Sequence, residues 1–299
     1  MEAVKLRSPD RAGTVLVLAA GICLASCQEA PQPSIEWVTG SVRSTDGVRI
    51  SYQMAGEGPV SVVFVHGWLC DRGYWKEQLD YFAQDHRVVA LDLAGHGDSG
   101  LNRDEWTFPA FGEDVAAVIN GLGLQRVILV GHSMGGPVIV EAARIAPREL
   151  IGLVAVDSLQ DPDAPAMPLE AMQAFLAPFE ESFSDAVRNL VSAAMFVPES
   201  DPTLKEWIVE DMSSAPPDVG LGALRSNILW PSTTRSEALA TLRAPVRLIN
   251  SPLFPTDSAA ANRYGMDVVI MPGVGHFLMM EDPEAFNALL ASAIANFAN

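Results

Sequence analysis

The sequence predicts an α/β fold: a mostly parallel central sheet flanked by helices, with one helical insert. Six short runs of apolar, largely β-branched residues recur along the chain, at Val60–Val65, Val88–Leu91, Val127–Val130, Leu153–Val156, Val246–Ile249 and Val268–Met271. They are continuous rather than alternating, the pattern of strands covered on both faces. Stretches of helical character separate them, at Trp75–Ala83, Phe108–Leu122, Pro137–Ala146 and Pro283–Phe297. Strand–helix alternation implies right-handed crossovers and therefore parallel strands, with ligands at their carboxyl ends.

Ahead of the first run, Val42–Ala55 reads as a hairpin turning at Asp46-Gly47, which makes Leu153–Val156 the sixth strand. From about Ser158 to Thr241 the alternation stops. Prolines at 162, 165, 168, 178, 198, 202, 216 and 217 punctuate helical patches around Leu169–Phe179, Ser184–Ala194 and Leu204–Met212. Such a stretch is too long for a loop. Its Met167, Met172, Phe175, Phe179, Phe183, Met195, Phe196, Trp207 and Trp230 supply an apolar roof, most of them by packing the insert onto the core.

The sharpest local signal is Val127-Ile128-Leu129-Val130-Gly131-His132-Ser133-Met134-Gly135-Gly136. A buried strand stops at Gly-x-Ser-x-Gly and a small-residue helix follows. Glycine at 131 and 135 lets strand and helix pass closely, which lifts the Ser133 hydroxyl above the carboxyl edge of the sheet at a helix N-terminus. A hydroxyl so placed, given a base, is a nucleophile.

With His66-Gly67-Trp68 after one strand, Asp92–Ser99 after the next, and Gly273-Val274-Gly275-His276 near the end, the chain from about Ile35 onward resembles the α/β-hydrolase fold superfamily. The resemblance implies a core of residues 35–157 and 242–299 and a helical cap of 158–241. It implies that His276, in the chain order serine, acid, histidine, is the general base. The oxyanion hole falls to the backbone N–H groups of Trp68 and Met134. His66 and His132 shape turns, His96 lies in a loop, and His86 reads as surface.

Most members of this family carry the acid just after the strand that is Val246–Asn250 here. Ser251-Pro252-Leu253-Phe254 contains no carboxylate. Asp157, ending the sixth strand, is the favoured alternative, since some members carry their acid there. Asp257 is closer to the usual place but reads as a helix N-cap. Catalytic Ser133, His276 and Asp157 imply a serine hydrolase cleaving an ester or related acyl bond of a small-molecule substrate, most simply a carboxylic ester. A carbon–carbon bond hydrolase with the same triad, or a slow-turnover binding protein, are the alternatives. Dehalogenase and epoxide-hydrolase chemistry would need a carboxylate in place of Ser133.

The 299 residues carry a formal net charge of −18, which repels nucleic acid. No Cys/His spacing points to a metal and no motif to a cofactor; oligomeric state is not legible. Residues 1–26 hold Lys5, Arg7 and Arg11 ahead of an apolar stretch, Gly13–Ala25, too short to span a bilayer comfortably, as in an export signal. Leu24-Ala25-Ser26-Cys27 resembles a bacterial lipobox, which implies cleavage before Cys27, its lipidation, a tether over 27–34 and a membrane anchor. Gln28 in the next position leans toward the periplasmic face of the outer membrane. Cys70 would then be the one cysteine without an assigned fate, excluding an internal disulfide.

Overall fold

The computed structural model describes residues 35–230 and 234–299, so the expected signal, Cys27 and the tether lie outside the described residues. Eight strands form one sheet in the order β1-β2-β4-β3-β5-β6-β7-β8. They are β1 (Val38–Arg43), β2 (Arg49–Ala55), β3 (Ser61–Val65), β4 (Arg87–Leu91), β5 (Val127–His132), β6 (Leu150–Val156), β7 (Val246–Asn250) and β8 (Met266–Ile270). The β1–β2 and β2–β4 pairs are antiparallel. Every other pair is parallel. The hairpin turns at Asp46-Gly47, with Gly47 at φ +85°, and β1 starts earlier than its apolar pattern indicates.

Burial follows sheet position. All residues of β3 and β5 are buried, whereas β8, at the edge, exposes Asp267 and Ile270. Helices α1 (Lys76–Phe82), α2 (Phe108–Gly121), α3 (Gly135–Ile145), α9 (Ser258–Arg263), α10 (Leu278–Glu281) and α11 (Pro283–Ala298) accompany the sheet. Asp282 caps α11 by accepting from the Ala285 N–H, and Pro283 opens it, where a missing N–H costs nothing.

Between β6 and β7 lie α4 (Leu169–Glu181), α5 (Phe183–Ala194), α6 (Pro202–Ser213), α7 (Pro217–Leu229) and α8 (Arg235–Thr241). The sequence pattern indicates only the first three. Pro216, Pro217 and two glycines give the α7 segment weak helix propensity, yet Pro216 precedes the helix, Pro217 sits in its first turn and the glycines serve contact. A Cβ on Gly220 would stand 2.2 Å from the Phe183 ring. Tertiary close approach thus overrides weak helix propensity.

Candidate active site

Ser133 sits where β5 turns into α3, at φ +52°. This left-handed backbone is costly for a non-glycine residue and survives because its surroundings fix it. A Cβ on Gly131 would lie 2.3 Å from the Gly135 carbonyl oxygen, and one on Gly135 would lie 2.6 Å from that of Val65. Both glycines are therefore steric requirements of the turn. The Ser133 N–H donates to the Val156 carbonyl at 2.9 Å, and Ser158 Oγ donates to the Ser133 carbonyl at 2.7 Å. Ser158 thus supports the elbow, a role with no local motif to mark it.

Asp157 directly follows β6, also in left-handed backbone at φ +42°. Its carboxylate is buried and takes two donors: the Ser251 N–H at 2.8 Å on Oδ1, and His276 Nδ1 at 2.6 Å on Oδ2. With Nδ1 donating, Nε2 is left as the basic nitrogen. The segment after β7, where a carboxylate is usual, supplies instead the amide that orients one. Asp257 does something else, accepting from the Ala260 N–H as the cap of α9.

The loop carrying His276 is clamped. Glu281 accepts from the Gly275 and Phe277 N–H groups at 3.0 and 3.2 Å, and from Ser200 Oγ. The His276 N–H donates to the Met195 carbonyl of the insert. Glu281 is not among the residues that sequence singles out, because an acidic residue in a short helix carries no pattern. His132 packs beside His276 with ring centroids 4.7 Å apart, and its Nε2 donates to the His276 carbonyl. Burial, then the neighbouring His276, pushes His132 well below the ordinary histidine range, so it stays neutral beside the candidate base.

Ser133, Asp157 and His276 line one cavity of about 560 Å3, with Trp68 and Met134 on its wall. Among the described residues neither the Trp68 nor the Met134 amide donates to a backbone carbonyl, as donors reserved for a developing oxyanion require. Trp68 Nε1 donates to the Gly220 carbonyl at 2.9 Å, and its ring meets Phe179 and Phe183 edge-on. The insert contributes Phe175, Met195 and Trp230 to the cavity, as expected of the roof, along with Leu190, Met212 and Leu224. Trp207 does not reach it; nearly half exposed, it packs on Tyr74.

The other motif residues are structural. Asp92 accepts from the Arg72 side chain and from the Arg72 and Asp98 N–H groups. The Cys70 thiol is buried and pushed up, first by burial and then by Asp211 and Asp71, so it is a poor nucleophile. His86, read as surface, is half-buried against the Phe82 ring where α1 returns to β4. Among the described residues no group of three or more His, Cys, Asp or Glu side chains is gathered for a metal.

His66 carries a pH prediction. Its Nε2 accepts from the Leu93 N–H at 3.0 Å while Nδ1 faces the Gly67 carbonyl at 2.8 Å, so a second proton would oppose an amide donor. Burial lowers its pKa from 6.5 to about 4. A folded pKa below the unfolded one gives stability that is full above the unfolded value and is lost as pH falls toward the folded one. Stability, and with it Tm, should therefore fall between pH 6.5 and 4, His66 accounting for on the order of 3 kcal/mol of the free energy of unfolding. Thermal melts of His66→Gln, which keeps a donor and an acceptor but does not titrate, should depend less steeply on pH; an equal slope would refute the assignment.

A mostly parallel sheet carrying a serine elbow, with a histidine–carboxylate pair at its carboxyl edge and a helical roof above, defines an α/β hydrolase. The chain belongs to the alpha/beta hydrolase family, whose model matches residues 62–289. It is 29% identical over 255 residues to the dihydrolipoyllysine-residue acetyltransferase component of the acetoin cleaving system of Cupriavidus necator, an alignment covering 82% of this chain and 66% of that protein. The chain thus spans about two thirds of the length of this curated relative. Among solved structures, a thermophilic esterase from Thermogutta terrifontis superposes with a TM-score of 0.75 at 23% identity, over 88% of this chain and 100% of that one. An epoxide hydrolase from Vigna radiata does so with a TM-score of 0.70, also at 23% identity, over 88% and 98%. Likeness at this level establishes the fold and leaves the chemistry to the residues.

Proposed function

We propose that the protein is a serine hydrolase cleaving an ester or related acyl bond, most simply a carboxylic ester, through a Ser133 acyl-enzyme. The observation that carries this reading is the 2.6 Å contact of Asp157 with His276 Nδ1 in the cavity that Ser133 also lines. His276 Nε2 takes the Ser133 proton as Oγ attacks the acyl carbon, then returns it to the departing alkoxide. The carbonyl oxygen gathers charge against the Trp68 and Met134 amides, aided by the N-terminal end of α3. Water, deprotonated by the same imidazole, then releases the acid and restores Ser133. Asp157 keeps Nδ1 protonated and stabilises the imidazolium throughout. An epoxide-hydrolase mechanism would need a carboxylate where Ser133 stands.

A fluorophosphonate probe tests this directly. The expected result is a single adduct on Ser133, located by peptide mass spectrometry, with parallel loss of p-nitrophenyl ester turnover. A protein that stays unlabelled and inert toward esters would refute the acyl-enzyme.

The proposal extends to location: an exported bacterial lipoprotein anchored through Cys27, on the periplasmic face of the outer membrane. Support comes from the sequence alone, the basic start, apolar stretch and Leu-Ala-Ser-Cys ending. In a bacterial host the wild-type chain should partition with membranes and carry acyl mass on Cys27, while Cys27→Ser should lose that mass. A wild-type protein recovered wholly soluble and without acyl mass would overturn the assignment. Multiple acyl chains hold far more firmly than one.

A further inference from the structure

Among the described residues, the insert brings one cation, Arg235, to the cavity of Ser133. Arg235, first residue of α8, lines that cavity and is only 8% exposed. Its Nη2 donates to the Ala164 carbonyl, while its Nε is buried with no partner among the described residues. The nearby carboxylates are otherwise engaged. Glu141 accepts from Trp230 Nε1, Thr234 Oγ1 and Arg144, and Asp163 accepts from Arg263 and Tyr264. Asp161 reaches the cavity but is exposed and accepts from the Asp163 N–H. A guanidinium stays charged at any accessible pH. Asp163 lies within electrostatic reach of Arg235 but spends its hydrogen bonds on Arg263 and Tyr264, so the buried guanidinium has no hydrogen-bonded carboxylate among the described residues, an arrangement that is expensive to bury. The planar guanidinium fork matches a carboxylate with two parallel hydrogen bonds.

We propose that Arg235 receives a carboxylate of the substrate, so that the ester cleaved at Ser133 carries a second, free carboxyl group. The inference rests on the acyl-enzyme reading above and names the substrate class within it. The cavity that Arg235 and Ser133 share is lined largely by apolar surface, with Leu224, Trp230 and Pro137 among its residues, which suits a hydrocarbon between carboxylate and ester. A cavity of about 560 Å3 is ample for such a molecule. The net charge of −18 repels anions at long range, so selection for one has to arise from contact inside the cavity rather than from steering. The hydrolysis is unchanged: water adds across the acyl–oxygen bond, and the free carboxylate is neither made nor consumed.

Two ester pairs of matched size test this. Para-nitrophenyl hemisuccinate against the pentanoate places the charge on the acyl side, and 4-acetoxybenzoate against its methyl ester places it on the alcohol side. The wild-type protein should favour the anionic member of at least one pair by about tenfold or more in kcat/KM. Arg235→Gln should bring that ratio to about one, chiefly through KM, and Arg235→Lys should recover part of it. Should the variants misfold, wild-type protein alone suffices: butyrate, and not butyramide, should slow phosphonate labelling of Ser133. A wild type indifferent to charge in both pairs, or a preference that survives Arg235→Gln, would overturn the inference while leaving a labelled Ser133 intact. Absence of labelling and of all ester turnover would bring down the acyl-enzyme reading, and this inference with it.

Discussion

Asp157→Asn should lower kcat by on the order of 10⁴. The size of the loss follows from donor–acceptor counting. Asp157 accepts from two donors, the Ser251 amide and His276 Nδ1. An asparagine has one acceptor oxygen and one donor nitrogen, so it cannot satisfy both. If its oxygen stays on Ser251, its NH₂ meets His276 Nδ1 and forces the imidazole into the tautomer that cannot take the Ser133 proton. If it turns over, His276 is served but the buried Ser251 amide is opposed, and the stabilising charge is gone either way. Asp257→Asn is the matched control, because asparagine caps a helix about as well as aspartate, and both stability and turnover should stay near wild type. Steady-state kinetics on an activated ester decide between them. A large loss for Asp257→Asn, with Asp157→Asn near wild type, would reverse the assignment.

Ser133→Ala should remove at least about 10⁵ of the turnover and all phosphonate labelling, leaving only what oxyanion donors and binding contribute. The fold should be unaffected: the wild-type serine already bears the left-handed backbone at φ +52°, and alanine bears it at a similar cost. A Tm within a few degrees of wild type would separate lost chemistry from lost structure. The Ser133→Ala/Asp157→Asn double variant should be no slower than Ser133→Ala alone, since members of a catalytic unit are not additive. Turnover retained by Ser133→Ala would exclude the acyl-enzyme altogether.

The strands were legible because a strand covered on both faces must be apolar throughout. A short continuous run such as Val127–Val130 fits neither a surface helix nor a half-exposed strand. Ser133 and His276 were legible because the turns presenting them demand glycine at fixed spacing. Asp157 was reached from the emptiness of Ser251–Phe254 and the carboxylate at the end of β6, and the structure brings that side chain to the imidazole. Other parts were hidden for physical reasons. Helix α7 carries glycines whose purpose is the approach of Phe183 and Trp106, a property of the assembled fold. Arg235 looks in sequence like any surface arginine opening a helix; its burial is set by Ala164 and the cavity wall, far away along the chain. Glu281 is hidden in the same way, since a clamp on three donors has no local signature.

Placing the proposed acid after β6 rather than after β7 changes what each segment has to supply. The proposed nucleophile and acid follow β5 and β6, the two strands of one β5–α3–β6 unit, so their relative placement is set by a single local crossover. The segment after β7 gives its Ser251 amide to Asp157, and Pro252, Leu253 and Phe254 carry no carboxylate. Phe254 lines the cavity with its ring edge-on to His276 at 5.6 Å. Position 254 is therefore a place where selectivity should be rewritable by a small library while the proposed Ser133, Asp157 and His276 set is left unchanged.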